Sequence, residues 1–341
     1  LTLNGAKENH MKLLRYSRKG EKAAQARLGV LVGDNVVADL RAGYARYLIE
    51  HIGNPKGREL AAIFLPPYVA QFLHVGAPAW EALAEAYGWL CDLVKVEPDA
   101  GGLSSEDLYI PLAECRLYAP VRGSKIIAVG RNYPDNAKSA RRQSSKVPTG
   151  FIKVPSCIVG PGRDILKPLV VKRLDCGAEL GIVIGKKCKH VAEERAYDVI
   201  AGYTILNDVT ARDIAEIERD AGHSLLGKTF DTFAPMGPYM VTKVEIGDPM
   251  NLRIQTRVNG ELRQEGSTAD MIHSIPKLVS YMSQMTLMPG DIIATGSPAG
   301  GGLLNPDWYL NAGDVIECEI EKVGVLINAV VNEPRLAGSY R

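Results

Sequence analysis

The stretch "DCGAELGIVIGK", residues 175–186, sets an acidic side chain, Glu179, at the head of an unbroken apolar run. A short run of this kind, ending in glycine, reads as a strand over "ELGIVIG", 179–185. Side chains at i and i+2 of a strand share one face. Two carboxylates so spaced could hold a divalent cation between them. Here the position two before Glu179 is Gly177, which has no side chain. Asp175, two further back, joins the same face if the strand starts early enough.

Outward from this run the chain is rich in strands. "KIIAVG" (125–130), "AGYTILND" (201–208) and "GPYMVT" (237–242) have the same character. "LRIQTRV" (252–258) and "ELRQEG" (261–266) flank Asn259-Gly260, a strong signal for a two-residue hairpin turn. "DIIATG", "DVIECEIEKVG" and "GVLINAVV" add late strands. "DMIHSIPKLVSYMSQM" (270–285) reads as a helix starting near Asp270, with Pro276 as a complication. Helices do not alternate regularly with strands, which argues against a doubly wound parallel sheet.

Upstream, "RLGVLVGDNVVADL" (27–40) reads as a hairpin, and "PAWEALAEAYGWLCDLV" (78–94) as a helix. Trp80, Leu83, Ala84, Tyr87, Leu90, Cys91 and Val94 recur at three- and four-residue steps and predict its buried stripe. "VEPDAGGLSSEDL" (96–108) is polar and rich in Gly and Ser, and reads as a linker. The expected division is a small N-terminal domain over 11–105 and a larger domain over 106–341. Residues 1–10, which precede Met11, read as a cloning remnant and are left out of the fold reasoning.

The 341 residues are 46% hydrophobic and 23% charged, with a formal net charge of +1. That balance gives no reason to expect a nucleic-acid or anionic-membrane partner. No apolar run approaches the ~20 residues of a membrane span. Six scattered cysteines without CxxC spacing suggest reduced thiols and a cytoplasmic setting, not zinc or a disulfide framework.

"GHSLLGKT" (222–229) matches the phosphate-loop formula letter for letter. That motif works only between a strand and a helix, where backbone amides face the phosphates. The upstream "ARDIAEIERDA" is helix-like, and Pro235, Gly237 and Pro238 forbid a helix downstream. Nucleotide binding is therefore set aside. "GSPAGGG" (296–302) could bring backbone close to a ligand, or could simply be a turn.

Taken together and in order, "IIAVGRNYPDNAKSA", "FIKVPSCIVGPG", "DCGAELGIVIGK", "AGYTILNDVTARDI", "LLGKTFDTFAPMGP" and "DIIATGSPAGGG" resemble the fumarylacetoacetate hydrolase family. "NDVTARD" and "GKTFDTFAPMGP" are the most specific pieces. The resemblance covers residues 120–330, and residues 11 to about 105 look like the smaller N-terminal domain of some members. It implies an α+β protein with a mixed β-roll catalytic domain, usually a homodimer. It also implies cleavage or rearrangement of a small anionic 1,3-dicarbonyl or 2-oxo acid with Mg²⁺, in some members Mn²⁺ or Ca²⁺.

By the same resemblance, Glu179 and Asp208 are metal ligands, and Lys228 and Arg212 carry catalysis. Tyr133, Thr295, Gly296 and Ser297 contact substrate. Two positions depart from the family. Gly177 stands where the first Glu of a Glu-x-Glu pair is expected, so metal affinity should be weakened and assisted by substrate. Asn136 stands where a water-activating His is expected, and Ser139 where its Glu partner often stands. His223 is the one histidine that could swing toward the site, but an exposed loop position is the favoured reading. Arg212 is equally readable as an internal ion pair with Asp213 or Asp231. The first expectation is a metal-dependent C–C bond hydrolase. Decarboxylation or keto–enol isomerisation, or a catalytically silent ligand-binding role, are the alternatives.

Overall fold

The computed structural model describes residues 11–103, 107–134 and 145–334. Strand β1 (Lys12–Arg18) is followed by the expected hairpin, β2 (Arg27–Val32) and β3 (Val36–Asp39). Asp39 then caps helix α1 (Leu40–Arg46), its carboxylate accepting from the Ala42 amide. Helices α2 (Gly57–Phe64), α3 (Val69–Val75) and α4 (Ala77–Val96) complete the N-terminal layer. The buried face of α4 is Ala79, Ala82, Leu83, Ala86 and Leu90. Trp80, Tyr87 and Cys91 of the expected stripe are only half-buried. Small alanines allow the closer approach, and Leu90 fills the space over Gly43 of α1.

Beyond the linker come β4 (Tyr109–Pro111), β5 (Cys115–Tyr118), β6 (Ile126–Gly130), β7 (Thr149–Lys153), β8 (Ile158–Val159), β9 (Ile165–Lys167) and β10 (Leu174–Asp175). Next are β11 (Ala178–Ile184), β12 (Ile200–Asn207) and β13 (Thr210–Ala211), then helices α5 (Arg212–Asp220) and α6 (Leu226–Thr229). The chain continues with β14 (Ala234–Thr242), β15 (Arg253–Val258), β16 (Glu261–Ser267), helix α7 (Ile275–Met282), β17 (Ile292–Ala294), β18 (Val315–Ile320) and β19 (Gly324–Asn332). Helix α7 starts later than the sequence suggested. Ser274 accepts from the Lys277 amide as its cap, and Pro276 sits in the first turn, where its missing N–H costs nothing.

The main sheet runs β4-β3-β2-β1-β14-β12-β11-β17-β6-β7. β1 pairs antiparallel with β14, Leu13 opposite Met240, so one sheet joins the N-terminal strands to those of the larger domain. Strands β4 and β5, which follow the linker, pair back onto β3 and β1. The sheet is therefore continuous across the expected division at 105/106. A second sheet, β16-β15-β18-β19-β9, packs against β11 and β12. Every side chain of β11 and β12 is buried between these layers, which explains why both read as apolar runs. Lone α6, preceded by a helix and followed by the extended β14, does not have the phosphate-loop context.

Candidate active site

In the β11–β12 register Glu179 lies opposite Leu206. Asp208, two residues on, projects from the same face just past the strand end. Its amide donates to Gly177 O at 2.9 Å, and the Gly177 amide donates to Asn207 Oδ1 at 3.1 Å. The two acids are thus brought together in a buried place, Glu179 3% and Asp208 8% exposed. Lys228, from α6, donates to Asp208 Oδ2, and to Thr210 Oγ1 at 2.8 Å. Its Nζ also sits 4.4 Å from the centre of the Phe151 ring.

A second lysine completes the cluster. Lys153, at the end of β7, is fully buried. Its Nζ donates to Lys228 O (2.6 Å), Phe233 O (2.9 Å) and Val209 O (3.2 Å). It also lies 2.9 Å from Asp208 Oδ1. An ammonium has three donors, and here all three go to carbonyls. Asp208 Oδ1 is therefore held chiefly by the Lys153 charge, as an ion pair.

The far wall comes from β17 and the turn after β6. Glu179 Oε2 accepts from the Gly296 amide at 2.9 Å. Gly296 has φ +88, and a Cβ there would lie 3.0 Å from Asn132 Cβ, so glycine suits both the conformation and the approach. Asn132 ties the wall together, donating to Thr295 O (2.9 Å) and His273 O (3.1 Å). The Tyr133 hydroxyl and Thr295 Oγ1 are buried with no hydrogen-bond partner among the described residues.

Electrostatics follow from this packing. Burial, reinforced by the charge of Asp208, pushes Glu179 up to about 8. Burial acts the same way on Asp208, but Lys153 and Lys228 outweigh it and hold that carboxyl at about 2. Burial pulls the Lys228 ammonium down to about 8, against the attraction of Asp208. Two groups titrating near neutrality thus share one pocket.

The structure corrects two expectations, on Asp175 and on the partner of Arg212, and agrees with the favoured exposed reading of His223. Asp175 does not join the Glu179 face. It sits on β10, paired with β13, and its carboxylate accepts from Arg212 Nε (2.9 Å), Cys176 N (3.0 Å) and Gly302 N (3.1 Å). With its oxygens so engaged it does not replace the side chain missing at 177. Arg212 is accordingly ion-paired with Asp175, not with Asp213 or Asp231; Asp213 instead accepts from the Lys172 amide. His223 is exposed and does not turn into the pocket. Nearby Glu218 accepts from the amides of Leu225, Leu226 and Gly227, fixing the turn that presents Lys228. Asn136 and Ser139 lie outside the described residues.

The family described as "Fumarylacetoacetate (FAA) hydrolase C-terminal" matches residues 125–331. The chain belongs to this family. It is 40% identical over 270 residues to the mitochondrial oxaloacetate tautomerase of Rattus norvegicus, covering 78% of this chain and 80% of that one. The fumarylacetoacetate hydrolase of Exiguobacterium antarcticum has a similar structure, with a TM-score of 0.70 at 30% identity over 95% of this chain and 100% of that one. So does a 5-carboxymethyl-2-hydroxymuconate delta-isomerase from Mycobacterium smegmatis, with a TM-score of 0.66 at 30% identity and the same coverage. Members of the fumarylacetoacetate hydrolase family are enzymes, and the mixed α and β architecture above is theirs.

Lys153 and Phe151 are the site residues that sequence reading missed in this family member. The signal was present. In "TGFIK" the inward positions alternate, and they place a lysine on the same face as Phe151. Among the described residues no three of His, Cys, Asp and Glu converge. The donor set fits a hard cation held by two carboxylates and completed by water and substrate, as Mg²⁺ accepts. Asp208 Oδ1, which faces the Lys153 ammonium at 2.9 Å and keeps a lone pair free, is the oxygen that would take part. It does not fit a closed, all-protein cage. No described helix is long and apolar enough to cross a membrane.

Proposed function

We propose that this family member is a keto–enol tautomerase of a small 2-oxo dicarboxylic acid of the oxaloacetate type. One observation carries the reading. A buried lysine, Lys228, poised at about 8, is bonded to Asp208, whose charge reaches Glu179; the Tyr133 hydroxyl lies near Glu179 and Thr295 precedes the Gly296 amide that Glu179 holds, and both hydroxyls are buried with no described partner. Tautomerisation moves one proton between C3 and the oxygen on C2, and needs an acid–base group tuned near the working pH. In its neutral form Lys228 Nζ takes the proton from C3. The resulting ammonium returns it to the enolate oxygen, and the reverse order converts enol to keto. Tyr133 and Thr295 donate to that oxygen as its charge develops. Asp208 and Lys153 hold Lys228 in place.

Glu179 and Asp208 would hold Mg²⁺, Mn²⁺ or Ca²⁺, which supplies polarisation of the 2-oxo carbonyl when bound. The oxaloacetate tautomerase name of the rat relative supports the substrate class. Hydrolytic C–C cleavage is the second reading, favoured by the likeness to a fumarylacetoacetate hydrolase.

The test is a side-by-side assay. Loss of enol oxaloacetate absorbance, carbon dioxide release and acylpyruvate cleavage are followed with and without Mg²⁺. The expected result is faster enol loss that Lys228→Met abolishes. Acylpyruvate cleavage with no effect on enol loss would replace this reading with the hydrolytic one. Carbon dioxide release alone would replace it with decarboxylation.

A further inference from the structure

Arginine is almost never buried without a carboxylate beside it. Arg15, on β1, is 9% exposed and makes no ion pair with a described residue. Its Nε is buried with no hydrogen-bond partner among the described residues. Instead the guanidinium lies over two tyrosine rings, 4.3 Å from the centre of Tyr68 and 5.1 Å from that of Tyr118. Tyr118 faces Arg15 directly across the β1–β5 ladder, and Tyr68 precedes α3.

Two further arginines stand around the same rings. Arg116, on β5, reaches over Tyr118 at 5.6 Å. Arg122 is close enough for its like charge to oppose that of Arg15, and it donates to Pro155 O at 3.3 Å. Both are exposed, and neither is ion-paired with a described residue. Elsewhere the described arginines usually find acids: Arg18, Arg27, Arg46, Arg173, Arg212 and Arg257 all do. The cluster lies on the seam between the N-terminal helices and the β-roll, where Gly123 packs on Gly290 and Gly290 on Ala70.

We propose that Arg15, Arg116 and Arg122 form a second site, distinct from the Lys228 pocket, for a small dianionic ligand, either a phosphate group or a dicarboxylate. The planar guanidinium of Arg15 forms the floor and presents a fork suited to either oxyanion. The tyrosines hold that floor flat, and the two exposed arginines close on the ligand from the rim. An anion there supplies the negative charge that three neighbouring arginines lack. The site does not depend on the tautomerase reading.

The test is calorimetric titration of the full chain with inorganic phosphate and, separately, malonate. The proteins are wild type, Lys228→Met, Arg116→Ala and Arg122→Ala, with thermal melts confirming that each is folded. The expected result is saturable binding that Lys228→Met retains and that each arginine variant weakens about tenfold, the worth of one charge-assisted hydrogen bond. Tighter phosphate assigns a phosphate ligand, and tighter malonate a dicarboxylate. The proposal is overturned if neither anion binds saturably, if Lys228→Met removes all binding, or if both arginine variants bind as wild type does.

Discussion

Gly177 and Ser297 compete for one space. A Cβ built on Gly177 would lie 2.7 Å from Ser297 Oγ and 3.0 Å from its Cβ. The gap at the expected ligand position is therefore filled from across the pocket. Gly177→Ala should cost about 1–3 kcal/mol, the usual range for overpacking, and Ser297→Gly should recover most of it. Gly177→Glu should behave likewise and should raise Mg²⁺ affinity only in combination with Ser297→Gly. Urea unfolding and magnesium titration of the single variants and of the two double variants check this. Equal destabilisation of the single and double variants would contradict it.

Lys153 binds three backbone carbonyls that lie far from it in the chain, at Val209, Lys228 and Phe233. Lys153→Met removes these bonds and leaves Asp208 with one ammonium in place of two. Breaking a buried pair typically costs about 3–5 kcal/mol. The expected outcome is a fall in urea midpoint of that size, together with a loss of activity. Lys153→Arg should not rescue it, because a planar fork cannot address three carbonyls arranged about one nitrogen.

Much of the β-roll was legible because strands buried on both faces must be apolar throughout, as β11 and β12 are. The turn at Asn259 and Gly260 was legible because both adopt positive φ, +53 and +81, which that dipeptide favours. Glu179, Asp208 and Lys228 could be picked out through the family motifs. Lys153 shared the inward face of Phe151 in the strand alternation, but a lysine closing "GFIK" also suits an exposed strand end, and only distant carbonyls bury it. The Arg212–Asp175 pair was hidden because it joins residues 37 apart in sequence, while nearer acids offered themselves. Nor could local pattern reveal that β1 pairs with β14, since the choice of strand partner is not a local property.

Proton and metal compete for Glu179. Its native pKa of about 8 is raised from the ordinary 4.5. Between those values the folded state holds a proton that the unfolded chain has released, so stability falls as pH rises through this window. Asp208 acts at the other end. Held at about 2, it contributes stability above 3.8 that is lost as pH falls toward 2. The melting temperature without added metal should fall from pH 5 to pH 8, and Glu179→Gln should flatten that slope. Magnesium should raise the midpoint more at pH 8 than at pH 6, because at the lower pH it must first displace a proton. A magnesium effect independent of pH would contradict the assignment of Glu179 as a ligand.

Lys228 and Arg212, both expected to act in catalysis, should separate on mutation. Lys228 carries the proton in the proposed reaction, so Lys228→Met should lower kcat by about 10²–10⁴-fold, the usual worth of a positioned acid–base group. Asp208 keeps the charge of Lys153 in that variant, which limits the loss of stability. Arg212 instead neutralises Asp175, whose Oδ1 holds the Gly302 amide. Arg212→Met leaves Asp175 buried and unpaired and should cost about 3–5 kcal/mol. Adding Asp175→Asn should recover part of that stability, since a neutral amide is far cheaper to bury. Steady-state kinetics and urea unfolding on the same preparations separate the two roles. If Arg212→Met lost kcat as severely as Lys228→Met while keeping its stability, Arg212 would act on substrate directly and not through the loop that Asp175 anchors.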